Sequence, residues 1–291
     1  MSSTVLITII SLSLLAFLSA VILYFVAQKF KVYEDPRIDE VQALLPAANC
    51  GGCGFAGCRN LAEALVKADS FEGLSCPVGG APVMAEAARI LGKTPPVVDP
   101  TVAVLLCNGS PENRPRTSHY DGAMECRISN SLYAGDTDCS YGCLGYGDCE
   151  SSCKFDALHI DPVTLLPVIN DDKCVSCGAC VKACPRHLIE LRKKAKKDRK
   201  IYVSCSNCDK GGPARRACKV ACIACSKCVK VCKFDAITIT NNLAYIDASK
   251  CTFCRKCVAE CPTGCILEIN FPPPKPAVEA KNETIEVNPE V

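Results

Sequence analysis

The sequence CVSCGACVKACP, from Cys174 to Pro185, decides how this chain folds. Its four cysteines are separated by two, two and three residues, and a proline follows the last of them. This is the spacing of bacterial ferredoxins, in which three thiolates surround one face of a 4Fe-4S cluster and the fourth cysteine binds the other cluster of a pair. The stretch therefore predicts one half of a module that binds two clusters.

The same spacing occurs twice more in the chain. Cys251–Pro262 repeats it in full, and Cys222–Cys232 repeats it with Lys233 in the place of the proline. Three such runs in one chain exclude a chance match. Zinc is the alternative metal, but a structural zinc site takes its four ligands from two separated pairs, and a run of four cysteines is not built in that way. We therefore interpret all three runs as iron–sulfur ligands.

A longer internal repeat places these runs in two modules. Residues 139–158 align without gaps on residues 218–237, and both blocks contain the sequence KFDA. An alternating apolar stretch follows each block and predicts a β-hairpin, and a proline-terminated cysteine run follows each hairpin. We therefore predict two tandem ferredoxin-like modules, module 1 (107–191) and module 2 (201–270). The basic run between them, 192–200, is interpreted as a solvated helix end plus linker rather than as a docking surface.

The two modules differ at one ligand position. Tyr146 stands in module 1 where Cys225 stands in module 2, so the first run of module 1 lacks its middle ligand. Cys139 is the nearest substitute along the chain, but Cys107 or Cys126 could also fold back to this place. The sequence leaves the choice open.

Crossed ligation, with Cys139 as the substitute, distributes the cysteines of the modules over four clusters. The predicted sets are Cys139, Cys143, Cys149 and Cys184; Cys153, Cys174, Cys177 and Cys180; Cys222, Cys225, Cys228 and Cys261; and Cys232, Cys251, Cys254 and Cys257. Outside these sets, we expect Cys205, Cys208, Cys218 and Cys265 to be buried or spare thiols. Cys107 and Cys126 remain open as further candidate ligands.

The stretch NCGGCGFAGC, Asn49–Cys58, permits two interpretations. Its glycines satisfy the G-x-G-x-x-G pattern of a dinucleotide-binding loop, but such a loop must follow a strand, and the segment before it reads as a helix that ends near Pro46. The alternative is a cluster loop, because three cysteines lie within it, a helix follows at 60–68, and a Cys-Pro pair comes after that helix. We therefore predict a fifth cluster, bound by Cys50, Cys53, Cys58 and Cys76.

The first thirty residues predict a membrane anchor. The segment Thr4–Ala27 contains no charged residue and, as a helix, is long enough to cross a hydrocarbon core of about 30 Å. Lys29 and Lys31 follow it directly, whereas no basic residue precedes it. The positive-inside rule then predicts a single-pass protein of the cell (inner) membrane with its cysteine-rich part in the cytoplasm. Cytoplasmic thiols stay reduced, which argues against disulfides.

The amino-acid composition excludes some classes of protein and favours metal centres. The chain has 291 residues, 26 cysteines, no tryptophan and a formal net charge of only +2. Such a small charge excess does not suggest a nucleic-acid-binding protein. A chain poor in large side chains and rich in cysteine needs metal centres to hold it together.

These observations define an α+β protein with one transmembrane helix, a small helical 4Fe-4S domain and tandem bicluster ferredoxin-like modules. The predicted boundaries are 1–28 for the anchor, 33–93 for the N-terminal 4Fe-4S domain, 94–106 for a linker, 107–191 and 201–270 for the modules, and 271–291 for a disordered tail. The basic run 192–200 lies between the two modules.

The chain resembles the B subunits of the Rnf complexes. The resemblance rests on the anchor, on CGGCGFAGC with its later Cys-Pro, on GCLGYGDC (Gly142–Cys149), on KFDA twice and on NNLAYID (Asn241–Asp247), and it extends over about Val5–Ile269. Two features depart from the family pattern. Lys154 and Lys233 replace the usual proline after the fourth cysteine, and shorter members of the family lack a second ferredoxin module.

The resemblance implies a subunit of a membrane-bound ferredoxin:NAD⁺ oxidoreductase that couples electron transfer to Na⁺ or H⁺ translocation. It implies electron exchange with soluble ferredoxin, and partners that include a soluble flavin- and NAD-binding subunit and integral membrane subunits. About five 4Fe-4S clusters are expected here, with a sixth left open, and no flavin or NAD on this chain.

The residues agree with an electron carrier that has no complete active site of its own. The sequence contains no Rossmann unit, no P-loop and no Ser/His/Asp set, and its three histidines are scattered (His119, His159 and His187). An apolar anchor without an intramembrane charge cannot itself conduct ions. The alternatives are a membrane-tethered carrier of another redox complex, or a cluster reservoir without a redox partner. A corrinoid-dependent methyl carrier would need a cobalamin domain for which the chain has no room.

Overall fold

A computed structural model describes residues 3–30, 34–96, 99–133 and 135–272. Helix α1 (Ser3–Lys29) is apolar along its length, and its stretch Val5–Lys29 is long and apolar enough to cross a membrane. None of this stretch is buried against the rest of the chain. Lys31, used above to predict sidedness, and residues 273–291 of the predicted tail lie outside the described residues.

The N-terminal 4Fe-4S domain consists of three helices, α2 (Arg37–Leu44), α3 (Cys58–Lys67) and α4 (Gly80–Leu91). Their apolar faces meet in one core, in which Leu61, Leu65 and Met84 are at most 1% exposed. Helix α4 ends just before Gly92, which adopts a left-handed conformation (φ +63°) that residues with a side chain adopt only with strain. The domain therefore has a core of its own beside its cysteine loop.

Module 1 contains two antiparallel strand pairs and short helices. Strand β1 pairs with β4 and β2 pairs with β3, the latter pair being the predicted hairpin. The elements are β1 (Thr101–Leu105), α5 (Cys126–Leu132), α6 (Asp148–Ser151), β2 (Leu158–Ile160), β3 (Pro167–Ile169), α7 (Ala179–Ala183) and β4 (Ile189–Lys193).

Strand β1 corrects the predicted linker 94–106. Residues 102–105 are buried because they pack under the cysteine loops and pair with β4 in the register Thr101↔Lys193 to Leu105↔Ile189. The sequence TVAVL lacks the alternation of a half-exposed strand, and therefore did not read as one. The chain thus enters module 1 through a buried strand.

Module 2 repeats this arrangement. Strand β5 pairs with β8 and β6 pairs with β7, so both modules are closed by their first and last strands and carry a hairpin between them. The elements are β5 (Lys200–Val203), α8 (Gly211–Ala217), α9 (Lys227–Val231), β6 (Ile237–Thr240), β7 (Leu243–Ile246), α10 (Lys256–Ala259) and β8 (Ile266–Ile269). The predicted α+β fold with tandem ferredoxin-like modules is confirmed.

The basic run 192–200 joins the two modules and is not a solvated linker throughout. The Arg192 side chain is 5% exposed, donates a hydrogen bond to the Ile246 carbonyl at 2.9 Å, and stacks on the Tyr245 ring at 4.9 Å. The Lys200 ammonium, also 5% exposed, pairs with the Asp171 carboxylate at 2.6 Å. Buried charges require such partners, so both contacts hold module 2 against module 1 in a defined position.

The N-terminal domain also contacts module 1. Gly52 lies so close to Cys177 that a Cβ atom added there would be 2.7 Å from the Cys177 carbonyl oxygen. Only a residue without a side chain fits this contact. The cysteine loop of the domain is therefore packed directly on a cysteine loop of module 1.

Candidate iron–sulfur centres

Group N consists of Cys50, Cys53, Cys58 and Cys76, the cysteines predicted for the N-terminal cluster. The loop turns through left-handed conformations at Asn49 (φ +44°) and at two glycines, and the Asn49 side chain accepts a hydrogen bond from the Cys58 N–H at 2.9 Å. Burial raises the pKa of Cys76, and the nearby Cys53 and Cys58 thiols add to that effect. The Gly79 N–H donates to the Cys76 sulfur at 3.3 Å. The loop thus brings thiols and backbone donors together.

Group 1B consists of Cys153, Cys174, Cys177 and Cys180, as predicted by crossed ligation. All four line one cavity with an empty volume of about 370 Å³, together with apolar side chains of the strands and the glycine Gly178. Cys180 lies on α7, and the Ala157 N–H donates to the Cys153 sulfur at 3.4 Å. Cysteines from both ends of module 1 therefore meet at one place.

Group 1A consists of Cys126, Cys143, Cys149 and Cys184, and differs from the predicted set in one member. These four cysteines line a cavity with an empty volume of about 400 Å³. The Asp148 carboxylate brings Cys126 there, because it accepts hydrogen bonds from the N–H groups of Cys126 and Arg127 at 2.8 and 3.0 Å. Cys126 lies in the segment 108–138, here called the insertion because the equivalent segment of module 2, 206–217, is shorter. The repeat alignment does not cover this insertion, so spacing alone could not select Cys126.

The structure does not bring Cys139 to group 1A. Cys139 lies at a different cavity, which it lines together with Cys107, Cys205 and Cys218. Cys126, and not Cys139 as predicted, therefore occupies the position of the missing ligand in group 1A. Cys107, the other candidate that the sequence left open, also lies at this cavity and not at group 1A.

Module 2 carries the two remaining predicted sets, group 2A and group 2B. Group 2A consists of Cys222, Cys225, Cys228 and Cys261, and group 2B consists of Cys232, Cys251, Cys254 and Cys257. Most of these thiols belong to one apolar cluster under the loops. Cys225 and Cys254 are the exceptions, because both are exposed. The equivalent positions in module 1, Tyr146 and Cys177, are only partly exposed.

Cys265 lies beside group 2A as a hydrogen-bond donor. Its sulfur is 3.5 Å from the Cys261 sulfur, and its thiol also contacts Cys222. The hydrogen bond from Cys265 lowers the pKa of Cys222 to about 6 and that of Cys261 to about 4. Hydrogen bonds to ligand sulfurs tune the reduction potential of iron–sulfur centres.

Burial has the opposite effect on the pKa of several other thiols of the groups. It raises the pKa of Cys143, of Cys149 and Cys257 to about 12, and of Cys180 and Cys228 to about 11. Such thiols keep their protons at neutral pH unless a bound metal displaces them. Loading of the groups with metal is therefore expected to release protons.

Within residues 3–30, 34–96, 99–133 and 135–272, no three His, Cys, Asp or Glu side chains lie close enough to share one metal ion. The thiols of group 1A and of group 1B each line a cavity.

The N-terminal groups are neighbours in space. Cys177 of group 1B has its pKa raised by burial and, in addition, by Cys50 of group N. Helix α6, which carries Cys149 of group 1A, packs on α7, which carries Cys180 of group 1B. Group N, group 1B and group 1A therefore follow one another.

The remaining groups continue this row. The Cys143 N–H of group 1A donates to the Cys107 sulfur at 3.4 Å, and the Cys222 N–H of group 2A donates to the Cys205 sulfur at 3.3 Å. Cys107 and Cys205 line the same cavity, which thus lies between the modules. Group 2B follows group 2A through the contact between α9 and α10.

Family comparisons match three parts of the chain. A family described as "Putative Fe-S cluster" matches residues 45–72, a "4Fe-4S binding domain" matches 167–190, and a "4Fe-4S dicluster domain" matches 221–265. These matches support an iron–sulfur cluster in the N-terminal domain and 4Fe-4S clusters in both modules.

Curated relatives match most of the chain. It is 45% identical over 240 residues to the B subunit of the Na(+)-translocating ferredoxin:NAD(+) oxidoreductase complex of Acetobacterium woodii, with 82% of this chain and 71% of the relative covered. It is 38% identical over 269 residues to the B subunit of the proton-translocating ferredoxin:NAD(+) oxidoreductase complex of Clostridium ljungdahlii, with 92% and 93% covered. The B subunit of an ion-translocating oxidoreductase complex of Methanosarcina acetivorans is 39% identical over 262 residues, with 90% and 97% covered.

Proposed function

The chain belongs to the family of B subunits of ion-translocating ferredoxin:NAD⁺ oxidoreductases, the Rnf family, and from this premise we propose how it carries electrons within such a complex. It is an electron-transfer subunit with 4Fe-4S clusters. We assign five clusters to group N and to groups 1A, 1B, 2A and 2B. Each cluster, when bound, takes up and releases one electron.

We propose that soluble ferredoxin docks on module 2. The observation that carries this proposal is the pair of exposed ligand-type cysteines, Cys225 and Cys254, because electrons reach a centre most easily where it approaches the surface. The segments around them, 222–236 and 247–263, contain six basic and three acidic residues. A basic surface of this kind attracts a partner that is acidic around its own cluster.

Electrons then travel along the row of groups toward the membrane. Group N lies at the far end of the row, and α2 of its domain begins at Arg37, a few residues after α1 ends at Lys29. The domain must therefore stay near the membrane surface, where integral membrane subunits can receive electrons. A subunit that reduces NAD⁺ is the other acceptor that the name of such relatives suggests.

The experiment that tests this direction compares two variants of the full chain, purified anaerobically in detergent. Cys53→Ala removes a group N ligand, and Cys254→Ala removes the exposed ligand of group 2B. Reduced ferredoxin is mixed with each, and the bleaching of cluster absorbance is followed. We expect Cys53→Ala to be reduced at the wild-type rate and Cys254→Ala to be reduced at least about tenfold more slowly.

The opposite result would reverse the proposed order. If Cys53→Ala keeps the iron of the other groups but is no longer reduced by ferredoxin, electrons enter at group N. Iron content measured on the same samples separates the loss of the electron-accepting site from a general loss of clusters.

We also propose that the cysteine-rich part faces the cytoplasm. Lys29 at the end of α1 supports this orientation by the positive-inside rule. Protease added to right-side-out vesicles should leave the modules intact, and inverted vesicles should lose them. Digestion in right-side-out vesicles would contradict this topology.

A further inference from the structure

Four cysteines outside the five groups surround a cavity of their own. Cys107, Cys139, Cys205 and Cys218, here called the junction group, line a cavity with an empty volume of about 310 Å³. This volume is close to those at groups 1A and 1B, about 400 and 370 Å³. Three of the four thiols are at most 8% exposed, and Cys205 is half-buried. The cavity thus has the same lining of four cysteine thiols as the cavities of groups 1A and 1B.

The junction group consists of two equivalent pairs, one from each module. Cys139 aligns on Cys218 in the internal repeat. Cys107 follows the end of β1 by two residues, and Cys205 follows the end of β5, the equivalent strand, by two residues. Each module therefore contributes the same two structural positions to the cavity.

Backbone and side-chain donors point at these sulfurs. The N–H of Cys143 donates to Cys107 and the N–H of Cys222 donates to Cys205, so the same hydrogen bond is made in both modules. The buried Asn207 amide donates to the Cys139 sulfur at 3.5 Å. Donors aimed at sulfur also occur in group N and group 1B, and they stabilise the charge of a thiolate-bound cluster.

Positive charge lies at the same cavity. Arg114 lines it, and its Nε is buried without a hydrogen-bond partner among the described residues. A buried donor without a partner is rare and calls for a ligand or water. A bound anionic cluster would compensate the charge of this guanidinium group.

We propose that the junction group binds a sixth 4Fe-4S cluster, shared by the two modules. Cys107 and Cys139 of module 1 and Cys205 and Cys218 of module 2 are its ligands. The site links group 1A to group 2A, because its cysteines accept hydrogen bonds from Cys143 of the one and Cys222 of the other. This inference rests on the assignment of clusters to the chain and not on the identity of the electron donor.

Iron and sulfide content of the full chain tests the proposal. The wild-type chain, purified anaerobically, should contain about 24 iron atoms and as many sulfides, whereas five clusters would give about 20. Cys107→Ala and Cys218→Ala, in different modules, should each lose about four irons. The double variant should also lose about four, because both cysteines serve one site. Cys208→Ala is the matched control, since Cys208 lies in the same segment but not at the cavity, and it should lose none.

Several results would overturn the proposal. A wild-type count of about 20 excludes the sixth site whatever the variants do. A double variant that loses about eight irons assigns Cys107 and Cys218 to separate clusters, and a Cys218→Ala chain with full iron removes this residue from any site. Cys→Ser variants, which keep the side-chain size, repeat the measurement if an alanine variant does not fold. Ferredoxin kinetics do not enter these counts, so a wrong docking site leaves them unchanged.

Discussion

Module 1 and module 2 have the same strand pairing and similar helices around their cysteine loops, but only module 2 has exposed cysteines in its groups. In module 1 the N-terminal domain covers Cys177 through Gly52, and the insertion covers Tyr146, whose ring lies 6.3 Å from that of Tyr120. In module 2 the equivalent residues, Cys254 and Cys225, are exposed. The same fold therefore forms the inner part of the row of cysteine groups in module 1 and the outer end of that row in module 2.

The two modules also differ in charge, and the module with the exposed cysteines is the more basic one. The segments 143–157 and 170–186 of module 1 contain four basic and five acidic residues, whereas the equivalent segments of module 2 contain six basic and three acidic ones. A duplicated module can thus acquire a different role without any change in its core. Covering elements and surface charge are enough to make the difference.

The largest expected effect concerns the ligand that distinguishes the modules. Cys126→Ala should remove the iron of group 1A, about four atoms per chain, because among the described residues only the four thiols of group 1A line that cavity. Cys139→Ala should also lose about four irons, but from the junction group. The double variant should therefore lose about eight. A loss of only four in the double variant would mean that Cys126 and Cys139 serve the same cluster, which would contradict two separate sites.

The next effect concerns the contact that holds the modules together. Asp171 of module 1 pairs with the buried Lys200, while its equivalent in module 2 is Ala248. Asp171→Asn should destabilise β5 by about 3 kcal/mol, because it leaves a buried ammonium without its counter-charge. Amide hydrogen exchange in 200–203 should become roughly 100-fold faster. Asp172→Asn, at an exposed neighbour, is the control, and equal exchange in both variants would contradict a structural role for the pair.

Charge reversal tests whether the basic surface of module 2 steers ferredoxin. Lys227→Glu, Lys230→Glu and Lys256→Glu together should slow the second-order reduction by ferredoxin about tenfold or more at low ionic strength. The difference should shrink as salt is added. The matched control reverses exposed lysines of module 1, namely Lys154, Lys173 and Lys182. A larger effect of the control variant would place the docking surface on module 1.

The smallest expected effect concerns the cover over module 1. Gly52→Ala would force the N-terminal loop away from the Cys177 carbonyl, and overpacking of this kind costs about 1–3 kcal/mol. Amide exchange in 174–180 should rise several-fold, while the equivalent segment 251–257 of module 2 should not change. Gly212→Ala, where an added Cβ meets no heavy atom within 4 Å, is the control. No change in 174–180 would mean that module 1 is not covered in this way.

The parts of the site that are local could be predicted from spacing along the chain. The sets of groups N, 1B, 2A and 2B, the two hairpins and the anchor helix could all be proposed from short motifs and from periodicity, because neighbouring residues determine them. The tandem repeat supplied the fold class for the same reason. These motifs carry most of the information about the cofactor.

The parts that were missed depend on contacts between distant segments. Cys126 reaches group 1A through the Asp148 carboxylate, and no spacing rule connects these two residues. Cys205 and Cys218, expected to be spare thiols, lie at the junction cavity with cysteines of the other module. One signal was present in the sequence, since Cys139 and Cys218 already aligned in the repeat. Two equivalent thiols that fit no run could have suggested a shared site.

The closure of each module by its first and last strands has a consequence for biosynthesis. Strand β4 completes module 1 before module 2 has been translated, whereas β8, at Ile266–Ile269, completes module 2 only near the end of the chain. Domains generally fold in order from the N-terminus during synthesis. Iron delivery should therefore proceed from the membrane-proximal end outward, and a ribosome stalled within module 2 would carry a nascent chain with a finished inner half and open thiols in its outer half.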